Sequence, residues 1–211
     1  MSGNGRTLRL GVACVLLGAL FALSGTVECA FAENLEQQII DALKPKVKTR
    51  GLTSSRDSAR DVEQMRFIES LPKTRSLTLQ EREQVAAVAK EKASIDLEVY
   101  FDYNSANVRA DAMDRVSSLG RALTSSELKG STFFIAGHTD AKGSENYNQG
   151  LSERRAESMK RVLIETYGVP AENLVTAGYG KEKLKNPGDP FGGENRRVQI
   201  VNLETKKTAG Q

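Results

Sequence analysis

The stretch IAGHTDAKGSENYNQGLSERRA, residues 135–156, runs from an apolar segment through a polar loop into an amphipathic segment. It contains the only histidine of the chain, followed two residues later by Asp140. Beyond the loop, Asn148, Leu151 and Arg155 recur at steps of three and four residues, which places them on one face of a helix. The stretch therefore predicts a strand followed by a helix, with a cluster of polar side chains near their junction.

Segments on both sides predict further elements of the same kind. Ile95, Leu97 and Val99 alternate with polar residues, a pattern typical of a half-buried strand. The predicted strands are residues 94–101, 131–137, 173–180 and 196–203, and the predicted helices between them are residues 109–123 and 146–168. The order strand, helix, strand, helix, strand, strand predicts an α+β domain, a small α/β sandwich with helices packed on one sheet.

The first 32 residues have the pattern of a secretory signal peptide. Arg6 and Arg9 precede an apolar run at residues 10–23, and residues 30–32 have the A-x-A form of a cleavage site. The apolar run is shorter than the roughly 20 residues that a spanning helix needs. We therefore expect cleavage after position 32, with a retained membrane anchor as the alternative.

Cysteine usage and charge exclude several classes of protein. Both cysteines, Cys14 and Cys29, lie in the predicted signal peptide, so the mature chain would have no disulfide. Glu28 directly before Cys29 makes a poor lipoprotein processing site. A single histidine with no mature cysteine argues against a zinc site, and no metal or cofactor is predicted. A net charge of +3 is too small to indicate nucleic-acid binding.

Residues 33–92 are predicted to form a helical region and linker ahead of the main domain. An apolar stripe predicts a helix at residues 33–44, and Thr78 with Glu81 three residues later predicts the start of another helix. Between them, residues 46–75 look mainly like an exposed linker. A few apolar residues there are compatible with a short helix or a docking patch: Val62, Met65, Phe67, Ile68 and Leu71.

Arg155 and Asp140 raise the question of what the polar cluster does. Arg155 shares a stripe with Leu151 and Met159, where a core residue is expected, and an unpaired buried charge is costly. Asp140 is the nearest acidic candidate for a partner. One interpretation is an internal ion pair between the two. The other is a ligand site, whose carboxylate binds an ammonium group and whose guanidinium binds a carboxylate. The residues alone leave both interpretations open.

Four motifs in order resemble those of a known family. They are YFDYNSANV at residues 100–108, GHTDAKGSENYNQGLSERRA at 137–156, GYG at 178–180 and NRRVQI at 195–200. Together they resemble the OmpA-like peptidoglycan-binding domain of the OmpA family, over about half of the chain. The resemblance implies a βαβαββ domain with a mixed sheet at residues 93–205, followed by a flexible tail at 206–211.

The resemblance also implies a ligand and the residues that bind it. In the family the ligand is the diaminopimelate of the peptidoglycan stem peptide, whose free end is an amino-acid zwitterion. The aspartate of GHTD and the second arginine of LSERRA bind that end. The implied binding residues of this chain are Asp140, Arg155, Asn104, Asn148, Thr139, Leu151 and Arg196.

Some of these positions also have a structural interpretation. Asn104 is a typical turn residue, and Asn148 lies where a helix cap or first turn is expected. Arg196 and Arg197 alternate on a predicted strand, so one of them is expected to face solvent. For these residues the sequence leaves both interpretations open.

A hydrolytic triad of His138, Asp140 and Ser152 is not supported by the sequence. The serine lies in no G-x-S-x-G turn, and nothing places it against the histidine ring. We therefore expect a protein that is not an enzyme, with His138 bracing its loop through a local hydrogen bond.

The sequence thus predicts a periplasmic protein that tethers the outer membrane to the cell wall. Residues 33–92 would contact an outer-membrane partner. In one alternative the N-terminal segment is retained in the inner membrane, as in stator proteins that resemble this domain, although residues 10–23 lack the acidic residue of such spans. In another, the chain is an envelope assembly subunit that works through residues 33–92.

Overall fold

The computed structural model describes residues 25–45, 55–99, 101 and 105–204 of the 211-residue chain. The helices are α1 (Gly25–Leu43), α2 (Ser55–Ser70), α3 (Leu79–Ala89), α4 (Met113–Thr124) and α5 (Glu145–Tyr167). The strands are β1 (Ala93–Leu97), β2 (Phe133–Gly137), β3 (Leu174–Gly178) and β4 (Val198–Asn202). From β1 onward the order is the predicted βαβαββ. None of the described helices is long and apolar enough to cross a membrane.

The four strands form one mixed sheet in the order β1-β4-β2-β3. β2 and β3 are parallel because α5 returns the chain across the sheet between them, whereas β4 is antiparallel to both β1 and β2. Every residue of β2 and β3 is buried, which explains their nearly continuous apolar sequence. The predicted fold class is confirmed.

Helices cover both faces of the sheet. On one face α1, α4 and α5 pack in a core that includes Leu119 and Met159, both 0% exposed. On the opposite face α2 and α3 pack in a second core that includes Val85 and Phe134. Successive residues of a strand point to opposite faces, so Ile135 belongs to the first core and Phe134 to the second.

Helix α1 is part of the main core. Ile39 and Leu43 are 0% exposed and pack with the residues of α4 and α5. Asn202 of β4 donates a hydrogen bond from Nδ2 to the carbonyl of Leu43 at 2.9 Å, and the Arg121–Glu36 ion pair spans 2.7 Å. The division of the chain at residue 93 stays a prediction, but α1, which lies before that residue, packs in the main core together with the sheet.

The interpretation of residues 46–75 as mainly a linker is wrong for the part that the structure describes. α2 occupies Ser55–Ser70, and Ile68 and Leu71 are buried in the second core. The alternative of a short helix, which the apolar residues from Val62 to Leu71 allow, is the one that the structure shows, whereas the many polar residues around them favour a linker. Residues 46–54 lie outside the described residues, as do residues 1–24 of the predicted signal peptide and the tail from 205.

Caps fix where two of the helices begin. The Thr78 hydroxyl accepts a hydrogen bond from the Glu81 backbone, and the Glu81 carboxylate accepts one from the Thr78 backbone, so the predicted cap is confirmed. Ser144 caps α5 by accepting a hydrogen bond from the Tyr147 backbone at 3.2 Å. Gly168 ends α5 with φ at +67°. The Ser144 cap sets the position of α5 against the loop that follows β2.

Candidate ligand-binding site

A cleft of about 900 Å³ opens at the edge of the sheet where β2 and β3 end. Its walls come from the loop after β2, the first turns of α5 and the loop before β4. Six predicted site residues line this cleft: Thr139, Asp140, Asn148, Leu151, Arg155 and Arg196. The remaining one, Asn104, lies outside the described residues.

Asp140 lies in a wall of the cleft, and each of its carboxylate oxygens already has a partner. Its Oδ2 forms an ion pair with Nη1 of Arg196 at 2.8 Å, and its Oδ1 accepts a hydrogen bond from the Lys142 backbone at 3.1 Å. The Asp140 side chain is 15% exposed and that of Arg196 is 49% exposed. The internal Asp140–Arg155 ion pair considered from the sequence is therefore wrong, because the partner of Asp140 is Arg196.

Arg155 is 9% exposed and makes few polar contacts. Its guanidinium carbon lies 4.7 Å from the centre of the Phe101 ring, and its Nε donates to the Ser105 carbonyl at 3.4 Å. No carboxylate among the described residues forms an ion pair with it. Burial lowers the pKa of Arg155 below its ordinary value, yet an arginine keeps its charge at neutral pH. The cleft thus contains a fixed positive charge that Asp140 attracts from a distance but that no described carboxylate contacts directly.

Thr139 and Asn148 stabilise the shape of the cleft through hydrogen bonds to the loops that form its walls. The Thr139 hydroxyl donates to the Asp140 carbonyl at 2.9 Å, and its backbone N–H donates to the Gly180 carbonyl at 2.8 Å. Asn148 is 1% exposed and donates from Nδ2 to the Lys142 carbonyl at 3.0 Å. The cap of α5 is Ser144, so Asn148 lies in the first turn and ties the preceding loop to the helix.

Aromatic side chains on the cleft were not predicted as site residues. Phe101, Tyr147 and Phe191 all line it, together with the buried Leu151. Phe191 is 65% exposed and Tyr147 is 41% exposed, so the cleft has apolar surface open to a ligand. Phe191 lies in a loop rich in glycine and proline, where no periodic pattern indicates the direction of a side chain.

The loop before β4 is held by its own asparagines. Asn195 is 0% exposed, donates from Nδ2 to the Asp189 carbonyl at 2.8 Å and accepts at Oδ1 from the Asn186 backbone at 2.9 Å. The Pro190 carbonyl accepts a hydrogen bond from the Ala141 backbone at 2.9 Å. These bonds join the loop to the Asp140 segment, so Arg196 enters the cleft from a supported backbone.

The motifs that build this cleft match a known family. Comparison with protein families places residues 100–197 in the OmpA family. The chain contains an OmpA-family domain. The matched range includes every predicted site residue from Asn104 to Arg196.

Curated relatives and solved structures are similar to part of this chain. The outer-membrane lipoprotein YfiB of Pseudomonas aeruginosa is 38% identical over 105 residues, which is 49% of this chain and 61% of that protein. The peptidoglycan-associated lipoprotein of the same species is 34% identical over 103 residues, 48% of this chain and 59% of that protein. The chain therefore spans about three fifths of the length of these two relatives. A solved peptidoglycan-associated lipoprotein from Burkholderia pseudomallei has a TM-score of 0.42 at 29% identity, covering 49% of this chain and 86% of that one.

Glycines of the OmpA-family domain let α5 approach the strand ends. A Cβ on Gly137 would lie 2.2 Å from the Ser152 carbonyl, and a Cβ on Gly178 would lie 2.3 Å from the Ser152 hydroxyl. The Ser152 hydroxyl donates to the Gln149 carbonyl at 2.8 Å and accepts from the Gly180 backbone at 2.8 Å. Ser152 is 0% exposed and therefore serves to join α5 to the loop after β3.

His138 lies on the opposite side of the sheet from Ser152 and the cleft. It is 2% exposed and stacks on Tyr179, with ring centres 5.6 Å apart and planes 19° apart. Burial, followed by the nearby Arg197 charge, lowers the pKa of His138 to about 3. The Lys183 backbone comes near the ring and opposes this shift, but neither ring nitrogen reaches hydrogen-bond geometry with a described group. The local hydrogen bond of His138 stays a prediction, and the ring cannot form a triad with Ser152 because the two lie on opposite sides of the sheet.

Arg197 resolves the ambiguity between the two adjacent arginines. Its side chain is 7% exposed and forms an ion pair with Asp96 of β1, Nε to Oδ1, at 3.2 Å. Arg196, one residue earlier, faces the cleft. The solvated member of the pair is thus the one that the family resemblance assigns to the ligand. In the described ranges no cluster of three or more His, Cys, Asp or Glu side chains is placed to hold a metal ion.

Proposed function

We propose that the cleft binds peptidoglycan noncovalently, through the zwitterionic end of a diaminopimelate residue in the stem peptide. The observation that carries this proposal is the buried Arg155, which has no carboxylate partner among the described residues. A buried charge is costly unless it is paired. A ligand carboxylate supplies that pairing, and the planar guanidinium can bind it with two N–H donors.

Asp140 supplies the complementary charge of the proposed site. Its present partner, Arg196, is half exposed, and exposed ion pairs stabilise a protein by about 1 kcal/mol or less. An ammonium group of the ligand can therefore share or replace Arg196 at small cost. Arg196 then remains available to a second carboxylate of the stem peptide.

The comparisons support a ligand of the cell wall. One relative is named as a peptidoglycan-associated lipoprotein, and the family match covers the whole cleft. The cleft volume, about 900 Å³, is at the upper end of the roughly 300–1,000 Å³ of small-molecule pockets, so it has room for neighbouring stem-peptide residues.

In this proposal the protein is a binding protein of the periplasm that connects the outer membrane to the wall, and it is not an enzyme. The Ser152 hydroxyl is buried in structural hydrogen bonds, which fits a site without a nucleophile. An outer-membrane partner would contact the exposed faces of residues 33–92, because the apolar faces of α1, α2 and α3 are buried against the sheet. Retention of residues 1–32 as an inner-membrane anchor remains the alternative arrangement.

The test is a sedimentation assay of the full chain with insoluble peptidoglycan. Arg155→Ala is compared with Arg154→Ala, which removes the same charge from the exposed neighbouring position on α5. Loss of a buried charge partner costs about 2–5 kcal/mol, so Arg155→Ala should weaken binding on the order of 30-fold or more. Arg154→Ala should bind like the wild type.

Competition with free ligands tests whether the cleft recognises both charges of the zwitterion or only one of them. Diaminopimelate should displace the chain from the wall, whereas pimelate and cadaverine, which carry only one sign of charge, should not. Circular dichroism establishes that each variant is folded. Wall binding retained by folded Arg155→Ala would contradict the assignment of the site.

A further inference from the structure

A second cavity, of about 360 Å³, lies on the face of the sheet opposite the cleft, between α3 and the strands. We propose that this rear cavity binds a small organic anion with an apolar body, such as a short-chain carboxylate. The proposal is independent of peptidoglycan binding. The cavity depends on α3, which precedes the range matched by the OmpA family.

The charge of the rear cavity favours an anion. Lys90, Lys183 and Arg197 line it, and no acidic side chain does. Arg197 is paired with Asp96 at 3.2 Å, and Lys183 is paired with the exposed Glu83 at 3.2 Å. Lys90 forms no ion pair with any described residue. A positive charge therefore remains at the mouth of the cavity.

His138 contributes a buried, neutral ring to the cavity wall. The ring is neutral at pH 7, so one of its nitrogens carries a proton and the other can accept one. Both nitrogens are buried, and the Lys183 backbone is a nearby polar group that opposes the lowering of the ring pKa. The ring therefore serves as a reporter of an occupant of the cavity, while Lys90, Lys183 and Arg197 supply the charge that favours an anion.

The rest of the wall suits an apolar body. Ala86 and Ala89 of α3 face Phe134 and Leu184 across the cavity. The small alanine side chains leave space that larger residues at the same helical positions would fill. The volume is near the lower limit of the roughly 300–1,000 Å³ of small-molecule pockets, so it has room for a short-chain carboxylate and favours a ligand smaller than that of the cleft.

The single histidine of the chain makes a sharp test possible. The ¹⁵N-labelled full chain, purified without a histidine tag, is titrated with butyrate while the imidazole signals of His138 are followed by NMR. We expect a saturable shift. Butanol, which has the same apolar body without the charge, should bind at least several-fold more weakly.

Variants locate the binding. Ala89→Leu fills the cavity and should weaken butyrate binding at least 10-fold, whereas Ala87→Leu, on the exposed side of α3, should leave it unchanged. Lys90→Gln changes an exposed side chain and should weaken binding about 3-fold or more, as expected for one partly solvated charge. This variant decides the question if Ala89→Leu does not fold. Arg155→Ala should have no effect.

Two results would overturn the proposal. One is a shift that rises linearly without saturation in the wild type. The other is a saturable shift that neither Ala89→Leu nor Lys90→Gln weakens. Both results leave the proposed function of the cleft untouched, since the wall-binding assay does not involve this cavity.

Discussion

Neighbouring residues of the same segments line the cleft and the rear cavity, yet the buried arginines of the two sites differ in whether they have an ion-pair partner. Thr139 and Arg196 face the cleft, whereas His138 and Arg197 face the rear cavity. At the rear, Arg197 forms an ion pair with Asp96. At the cleft, Arg155 has no such partner in the described structure.

This difference shows that a charged residue in a motif gains its role from the side of the sheet to which it points. Arg196 and Arg197 are identical in chemistry and adjacent in sequence. One is half exposed beside a carboxylate that a ligand can reach, and the other is buried in a structural ion pair. We therefore expect Arg197 substitutions to change the free energy of unfolding and Arg196 substitutions to change wall binding.

The largest expected effect on stability comes from protonation of His138. Its pKa in the folded state is about 3, against an ordinary value of 6.5, so below pH 6.5 the unfolded state binds a proton that the folded state does not. Stability should be complete above pH 6.5 and fall as the pH drops towards 3. Between pH 7 and pH 4 this contribution amounts to about 3 kcal/mol. Arg197 and Lys183, which face the ring, oppose protonation in the same direction.

Urea unfolding at pH 7, 5 and 4 measures this effect. His138→Gln does not titrate in this range, so its stability should depend less steeply on pH than that of the wild type. Carboxylates of the chain contribute equally to both proteins and cancel in the comparison. Equal slopes for the two proteins would show that the His138 ring is not held in its neutral form by burial.

Single substitutions of the adjacent residues Arg196 and Arg197 should next distinguish the cleft side of the sheet from its rear side. Arg197→Ala removes the buried partner of Asp96 and should lower the free energy of unfolding by about 2 kcal/mol, less than a fully buried pair because Lys185 still contacts Asp96. Arg196→Ala should change stability by no more than about 0.5 kcal/mol. Thermal unfolding and wall sedimentation are measured on both.

For wall binding, the order of the two effects should be the reverse of their order for stability. Arg196→Ala should weaken wall binding, because it removes a cation from the cleft, and Arg197→Ala should retain it at temperatures where the variant is folded. If Arg196→Ala were the less stable variant and bound the wall normally, the assignment of Arg196 to wall binding and of Arg197 to stability would be incorrect.

The fold is largely predictable from the sequence because the patterns that encode it are local. Alternation in β1, the continuous apolar runs of β2 and β3 and the capping residue Thr78 each depend on residues a few positions apart. The helical spacing of Asn148, Leu151 and Arg155 is local in the same way, and it correctly predicts that the three side chains share one face of α5.

The features that the sequence does not predict depend on distant contacts. The partner of Asp140 is Arg196, which lies 56 positions away, and α1 joins the core through a bond between Asn202 and Leu43 across 159 positions. No periodic pattern encodes such pairs. The stacking of His138 on Tyr179 is hidden from the sequence for the same reason.

Ser152 should show a smaller effect on the cleft side. Ser152→Ala leaves the Gly180 backbone N–H, now bonded at 2.8 Å, without a partner in a buried position, which should cost about 1–2 kcal/mol. Ser158→Ala, on the same helix, provides the matched control for the change in helix propensity. Chemical unfolding measures both. Wall binding by folded Ser152→Ala should persist, and its complete loss would revive a direct role for the hydroxyl.

The smallest expected effect is at Phe191, on the wall of the cleft. The ring is 65% exposed, so Phe191→Ala should not measurably change stability. If the stem peptide extends along the cleft, the ring covers part of its apolar surface, and its loss should weaken wall binding about 3-fold, or roughly 0.6 kcal/mol. Val62→Ala, an exposed apolar residue of α2, is the control. Because free diaminopimelate carries the zwitterion with little further apolar surface, its binding should change less than wall binding. An equal loss for both ligands would instead place the ring next to Arg155 and confine the ligand to the zwitterion itself.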